Sequence, residues 1–375
     1  MASSGLGHVP RGVESWANDL AVALHRSGAD VTLFQGAPKG TEPWRRVLAC
    51  CRRYEPVAQR LHAVTKHLGG WRYYCGSTYD IEQTTFALSL WRQVRKDYDI
   101  LHVQDPMVGV HLHNLHRKGW SRPRVILANG TDEDDSVLRK VSNLQHLAPT
   151  YLTAWESRKP LTQVSVAIPN FIDTTLFQPG DRRAARAVWN IPQDALVVLS
   201  VAALTVSRKR CDYLIREFAE FRRAYSGPAY LVLAGAREVD TPAVVALGRD
   251  LLGDSVLILE SVDRTKLPSL YQAADIFALA SLREVLGIVI LEGLASGLPV
   301  ALHRTPVMEY VAGDAGQLED ASIPGGLVRQ WIRLSDAQVR ADMSAGALRH
   351  VQRTFSEAVV LRQIEELYDV VMTKP

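Results

Sequence analysis

The sequence predicts an α/β chain built from two Rossmann-like, parallel-sheet domains, and three observations carry that prediction. Short apolar runs of strand length alternate with amphipathic stretches of helical period along nearly all 375 residues. The runs fall into two series, separated by the turn-forming tripeptides PNF and QPG near residues 169–180. A chain of this length that is 47% hydrophobic can also bury two cores.

Taken in order, the first series is unusual at its start. MASSGLGHVPRGVE reaches a glycine turn within a dozen residues with no apolar run before it, so the first strand is expected to be missing or short. Strands are expected at 31–34, 100–103, 125–127 and 163–168. The second series begins near 196, with strands at 197–203, 230–234, 256–259, 276–280 and 300–303. These limits suggest a first domain over 1–167, a second over 168–354, and a closing segment over 355–375. In that segment Val359, Leu361, Ile364, Leu367 and Val370 or Val371 form one helical stripe.

Residues 42–76 differ in composition from the rest. Arg45, Arg46, Arg52, Arg53, Arg60, Lys66 and Arg72 face only Glu42 and Glu55, among Trp44, Tyr54, Trp71, Tyr73 and Tyr74. Val47, Cys51, Tyr54, Ala58, Leu61 and Leu68 recur at three- and four-residue steps, which predicts a basic amphipathic helix pair broken near Pro56. Such a surface suits an anionic membrane or an acceptor groove, or else packs on the core as an ordinary helix. The net charge of +3 argues against general nucleic-acid binding. Cys50, Cys51, Cys75 and Cys211 lack metal-ligand spacing and suggest no disulfide framework, so a reducing, cytoplasmic setting is expected. No signal peptide is apparent, and no apolar run approaches the roughly 20 residues that span a bilayer.

The chemistry concentrates in REVLGIVILEGLASGLPV, residues 283–300. An apolar run ending at Ser281 leads into a loop, Gly287 opens a helix, Gly297 closes it and Pro299 prevents its continuation. A helix start with unpaired N–H groups and a positive dipole end attracts phosphate, here at Leu286, Gly287 and Ile288. Glu284 and Glu292 flank that start. Carboxylates accept hydrogen bonds and donate none, so they suit sugar and ribose hydroxyls. Spacing alone leaves open that Glu292 is a solvated helix residue. SRKR, residues 207–210, brings Arg208, Lys209 and Arg210 between a strand and a helix, where cations oppose the helix dipole and are better explained by a bound anion than by solvation alone.

Glu284, Gly287, Glu292 and the following ASGLPV resemble the E-x7-E motif of the retaining family-4 glycosyltransferases, which have the GT-B fold. GVESWANDLAVALHRSGADVTLF (12–34), DILHVQDP (99–106), IPNFIDTTLFQP (168–179), VLSVAALTVSRKRCDYLI (198–215), LVLAGARE (231–238) and LPSLYQAADIF (267–277) are similar to further family segments in the same order.

This resemblance implies two Rossmann-like domains facing a cleft, with an acceptor domain first, a donor domain second and a final helix crossing back. It implies transfer of a sugar from a nucleotide diphosphate, UDP or GDP, to an unidentified lipid, glycan or small-molecule acceptor, with retained configuration. The absence of a paired-acid metal motif suggests that no metal or other cofactor is needed. By the same resemblance Lys209, Arg208 and Glu284 are the catalytic candidates, while Glu292, Leu286, Gly287, Ile288 and Arg210 bind the donor. Gly12, with Val13 and Glu14, forms the loop toward the phosphates and acceptor.

There are departures. Ala203 stands where the family commonly has an arginine. Gln104 stands where it has its catalytic-centre histidine, and Gln cannot take a proton, while His102 matches a more structural histidine. In a front-face mechanism the leaving diphosphate can accept that proton, and His8 is a candidate replacement. GLGHVP is not a dinucleotide fingerprint, because Pro10 replaces the third glycine and no strand is expected before it. The rival readings are an epimerase or hydrolase of the same fold and a non-catalytic sugar-nucleotide-binding protein.

Overall fold

The computed structural model describes residues 1–9, 12–131 and 133–373, apart from the side chains of Trp71 and Tyr73. Pro10 and these two aromatic side chains, named above, therefore lie outside the described set. The chain divides into two units, residues 1–170 with the segment from Val360 onward, and Phe171–Val359.

The first unit holds a seven-stranded parallel sheet in the order β3-β2-β1-β4-β5-β6-β7. The strands are β1 (Ala2–Ser3), β2 (Leu33–Gln35), β3 (Arg45–Val47), β4 (Ile100–Val103), β5 (Arg124–Asn129), β6 (Asn143–His146) and β7 (Val164–Ala167). The opening strand is short rather than missing. Its two residues sit in the middle of the sheet, with Ala2 opposite Phe34 on one side and Val103 on the other. Ala2, Phe34, Phe86, Leu90, Val103, Leu127, Leu144 and Trp155 belong to one buried cluster. This two-sided burial is why the strands of a parallel sheet read as apolar runs.

Residues 42–76 do not form the expected helix pair. Arg45–Val47 is a strand paired in parallel to Leu33–Gln35, and the one α-helix described in this stretch, Pro56–Thr65, starts at the proline instead of breaking there. A proline with fixed φ and no N–H suits the first helical turn. Of this helix only Ala58 is buried; Val57, Leu61 and Val64, followed by Leu68, are exposed. The closing helix, Glu357–Thr373, buries Val360, Ile364, Leu367 and Val371, so its stripe begins one residue later than predicted. Within the first unit Tyr368 Oη lies 3.0 Å from His102 Nδ1, and Arg124 donates to the Val371 carbonyl.

The second unit holds a six-stranded parallel sheet in the order β10-β9-β8-β11-β12-β13. These are β8 (Leu196–Val201), β9 (Ala229–Gly235), β10 (Val256–Glu260), β11 (Ile276–Ala278), β12 (Val300–His303) and β13 (Gly316–Glu319). Val198, Ile215, Phe218, Phe221, Leu231 and Trp331 lie in its core. Gly235 is required at the end of β9, where a Cβ would stand 1.7 Å from the Ala202 carbonyl oxygen. Among the described residues no helix is long and apolar enough to cross a membrane.

Candidate active site

In the second unit the strand order reverses between β8 and β11, which are hydrogen-bonded neighbours although β9 and β10 intervene in sequence. Ligands of open α/β sheets bind outside the carboxyl ends of the strands at such a point. The turn at 207–209 leaves β8 there, and the loop from Ser281 to Gly287 leaves β11 there. Lys209 Nζ donates to Glu284 Oε1 across 75 residues of sequence. Both side chains are mostly buried, at 20% and 15% exposed, so this is more than a chance surface pair.

Gly287 caps the Ile288–Ala295 helix with φ 80°, a conformation that favours glycine, and a Cβ there would meet Ile290 at 2.6 Å. In the first helical turn the amides of Ile288 and Val289 precede the first intrahelical acceptor, and the first backbone bonds to the Gly287 carbonyl come from Ile290 and Leu291. Ile288 lies in this turn, and Leu286 is buried beside it.

Glu292 is not a solvated helix residue: it is 4% exposed. Tyr271 Oη donates to its Oε2 at 2.7 Å and contacts the Val289 carbonyl at 3.2 Å. Burial, then the adjacent Glu292 charge, pushes the Tyr271 phenol well above its ordinary range, so it remains a donor. The two neighbouring arginines differ. Arg208 is exposed on the turn. Arg210 occupies the left-handed region at φ 51° and spends its guanidinium on the carbonyls of Ala280 and Ala321, at 3.2 and 2.6 Å, while lying 4.0 Å over the Tyr213 ring. Its observed bonds thus tie the cap to the ends of neighbouring segments.

The first unit has an equivalent reversal at β1, between β2 and β4. Ser4 and Asp105, just beyond β1 and β4, meet there: the Ser4 amide donates to Asp105 Oδ2 at 2.8 Å. His8 Nε2 lies 3.0 Å from Glu82 Oε2, and Arg53 pairs with the same carboxylate. Gln104 is buried, with Nε2 3.4 Å from Asn170 Oδ1. Gly12 is the first residue of the Gly12–Arg26 helix and is exposed, whereas Glu14 is buried close to the Gly5 backbone. His102 is packed edge-on to Trp16 and held neutral; burial, then the N-terminal charge, lowers it to about 3.

Thus Lys209, Glu284, Gly287 and Ile288 share one edge of the second sheet, and His8 and Gln104 share one edge of the first. Sequence reading did not single out Tyr271, Glu82 or Asp105 as site residues. Glu82 did leave a signal, since it falls on the four-residue stripe of Phe86, Leu90 and Val94, where a carboxylate needs a partner. Tyr271, inside a quoted apolar segment, left none. Among the described residues no group of three or more His, Cys, Asp and Glu could hold a metal ion.

Residues 181–334 match the family model described as "Glycosyl transferases group 1". The D-inositol 3-phosphate glycosyltransferase of Acidothermus cellulolyticus is 31% identical over 196 residues, covering 50% of this chain and 44% of that protein. D-inositol 3-phosphate glycosyltransferase 2 of Catenulispora acidiphila is 33% identical over 202 residues, covering 51% and 47%. The chain spans about half the length of the curated relatives it matches. Sucrose-phosphate synthase from Thermosynechococcus elongatus superposes with a TM-score of 0.73 at 17% identity, over 96% of this chain and 94% of that one. Anabaena HepE in complex with UDP-glucose superposes with a TM-score of 0.72 at 16% identity, over 98% of each chain. At these identities the structural likeness establishes the fold, two Rossmann-like parallel-sheet domains of GT-B type.

Proposed function

We propose that the chain, which carries the glycosyl transferases group 1 match on a GT-B fold, is a retaining family-4 glycosyltransferase that moves a sugar from a nucleotide-diphosphate donor to an acceptor hydroxyl. The observation that carries this reading is the Lys209–Glu284 pair beside the Gly287 helix start, at the strand-order reversal of the second sheet. In this reading residues 168–354 hold the donor and residues 1–167 the acceptor.

Lys209, aided by Arg208, and the amides at Gly287 and Ile288 stabilise the charge that grows on the departing diphosphate, while Glu284 holds sugar hydroxyls and Glu292 the ribose. Leu286 shields the turn, and Arg210 keeps the Lys209 turn in shape. The anomeric carbon–oxygen bond to the diphosphate breaks with its electron pair on the leaving group. The acceptor oxygen bonds to the anomeric carbon on the face that the diphosphate leaves, and its proton passes to an oxygen of that departing diphosphate. The diphosphate takes up negative charge that the lysine and amides already oppose, so a donor of UDP or GDP type needs no further cofactor in this scheme.

The acceptor lies within a class of lipid, glycan or small polyol. D-inositol 3-phosphate, named in the relatives' descriptions, is the first acceptor to try. A cytoplasmic enzyme resting on anionic membrane is part of the same reading. It is supported by the exposed Val57, Leu61, Val64 and Leu68 stripe beside exposed Arg60 and Lys66. The test is a panel of UDP-, GDP- and ADP-sugars, read by thermal stabilisation and by nucleoside diphosphate release with and without D-inositol 3-phosphate. Stabilisation and release with one donor are expected. Release of free sugar alone would favour a hydrolase, and stabilisation without turnover a binding protein.

A further inference from the structure

The Lys209–Glu284 pair joins two side chains to which the transfer reading gives different ligands, phosphate for the lysine and sugar hydroxyls for the glutamate. With no ligand present they hold each other. Both are mostly buried yet not sealed, so the contact is shielded from bulk water and still within reach of a solute.

The backbone beneath the pair is tied down. The Lys209 amide donates to Thr205 Oγ1 at 3.3 Å, and the Cys211 amide to the Thr205 carbonyl at 3.0 Å. Arg210 reaches the Ala280 carbonyl, beside the strand end from which the Glu284 loop departs, at 3.2 Å. At the other end of that loop Leu286 is buried and Gly287 caps the following helix. What can change on binding is therefore the lysine's flexible four-carbon stem and the glutamate's shorter one. Arg210 is committed to carbonyls and Arg208 is exposed, so Lys209 is the cation of this turn that meets the carboxylate.

A diphosphate and the Glu284 carboxylate are both anions that accept hydrogen bonds. Gathered around one ammonium they repel each other and compete for its three donors. Sugar hydroxyls relieve the conflict, because they donate to the carboxylate, compensate its charge and draw it away from the lysine.

We propose that Glu284 is the residue by which the donor site distinguishes the intact nucleotide sugar from the nucleoside diphosphate left after transfer. The proposal rests on the glycosyl-transfer reading above and deepens it. With the sugar in place its hydroxyls occupy Glu284, and Lys209 is released to the diphosphate. Once the sugar has gone, the carboxylate returns to Lys209 and competes with the product as an anion tethered beside it, at high effective concentration. No covalent bond changes in this exchange. One partner of the ammonium replaces another, and the product is held less firmly than it would be by a lysine without Glu284.

The test is titration calorimetry on the full chain with UDP and GDP and with the nucleotide sugar that the panel identifies, in the absence of acceptor. Glu284→Gln keeps the shape and removes the competing charge, so nucleoside diphosphate affinity is expected to rise by about 5- to 30-fold while nucleotide-sugar affinity rises less or falls. Adding Lys209→Gln to that variant should abolish the gain. A measurement on the parent stands independent of either variant's folding: the free sugar of that donor, in large excess, should tighten nucleoside diphosphate binding by about 3- to 10-fold, since it occupies Glu284. A pair that only braces the loop gives neither effect, and Glu284→Gln then weakens both ligands alike. Unchanged or weaker nucleoside diphosphate affinity in Glu284→Gln, or no coupling to the free sugar in the parent, overturns the proposal and leaves Glu284 with the sugar hydroxyls alone. A parent that binds no nucleoside diphosphate and releases none from any donor defeats the transfer reading itself, a separate result.

Discussion

Tyr271 Oη donates to Glu292 Oε2 at 2.7 Å inside the second unit, with the phenol enclosed by Phe177 and Phe277. One carboxylate oxygen is thereby fixed by a rigid, fully buried ring. If Glu292 holds ribose hydroxyls, Glu292→Gln exchanges charge-assisted hydrogen bonds, worth about 1.5–3 kcal/mol, for weaker ones. Nucleoside diphosphate affinity should then fall roughly 10- to 150-fold in titration calorimetry. Tyr271→Phe should weaken it less, by about fivefold, and lower the melting temperature by a few degrees, because a buried carboxylate loses a donor. Unchanged affinity in Glu292→Gln would remove the ribose assignment.

Lys209 differs from its arginine neighbours in reaching Glu284 from the turn after β8. Lys209→Ala should lower kcat at saturating donor by about 10²- to 10³-fold, as expected for the loss of a charge that stabilises a leaving group, while nucleoside binding stays close to the parent. Arg208→Ala, on an exposed side chain, should cost less than tenfold. A reversed order of the two variants would transfer the phosphate role to Arg208.

The depressed carboxyl of Glu82 links stability to pH. Its folded pKa, about 2, lies below the ordinary 4.5, so the folded state favours the ionised form. The stabilisation is present above pH 4.5 and fades as pH falls toward 2, a loss of about 3 kcal/mol if realised in full. Melting temperatures of the parent should drop more between pH 6 and pH 3 than those of Glu82→Gln, which starts lower because Arg53 has lost its partner. Parallel melting curves across that range would refute the linkage.

What was legible in the sequence followed from burial. ILHV in β4 and VALH in β12 read as strands because a parallel sheet covered on both faces demands mostly apolar runs. NLQH in β6 did not, since it is buried yet polar. Asn143 Nδ2 donates to the Val125 carbonyl at 3.0 Å and Gln145 Nε2 to the Ile168 carbonyl at 2.7 Å, bonds that no periodicity reveals. GQLE in β13 is only half buried and pairs on one side with β12. At the site, Lys209, Glu284, Gly287 and Glu292 could each be picked out by motif. The contact between Lys209 and Glu284 depends on β8 lying beside β11, which is a property of strand order. The basic stretch misled for a related reason. Arg53 looked like surface charge, but it is buried against Glu82, and Arg45 is engaged by Glu42.

These pairings change which side chains a membrane contact would use. The candidates are Leu61 and Val64 on the Pro56–Thr65 helix, with Leu68 beyond it and exposed Arg60 and Lys66 alongside. Apolar side chains in the interface and cations near anionic headgroups act together, each cation contributing about 1 kcal/mol, a term that weakens as salt shortens the Debye length. The parent should co-sediment with vesicles containing phosphatidylserine, less so at high salt, and not with phosphatidylcholine vesicles. An Arg60→Gln, Lys66→Gln variant should lose about 30-fold in partitioning, and Leu61→Ser with Val64→Ser should lose binding at both salt concentrations. Variants at Arg45 and Arg53 are poor tests, since they break pairs within the first unit. Equal sedimentation of parent and variants, or none with anionic vesicles, would show that the stripe does not meet a membrane.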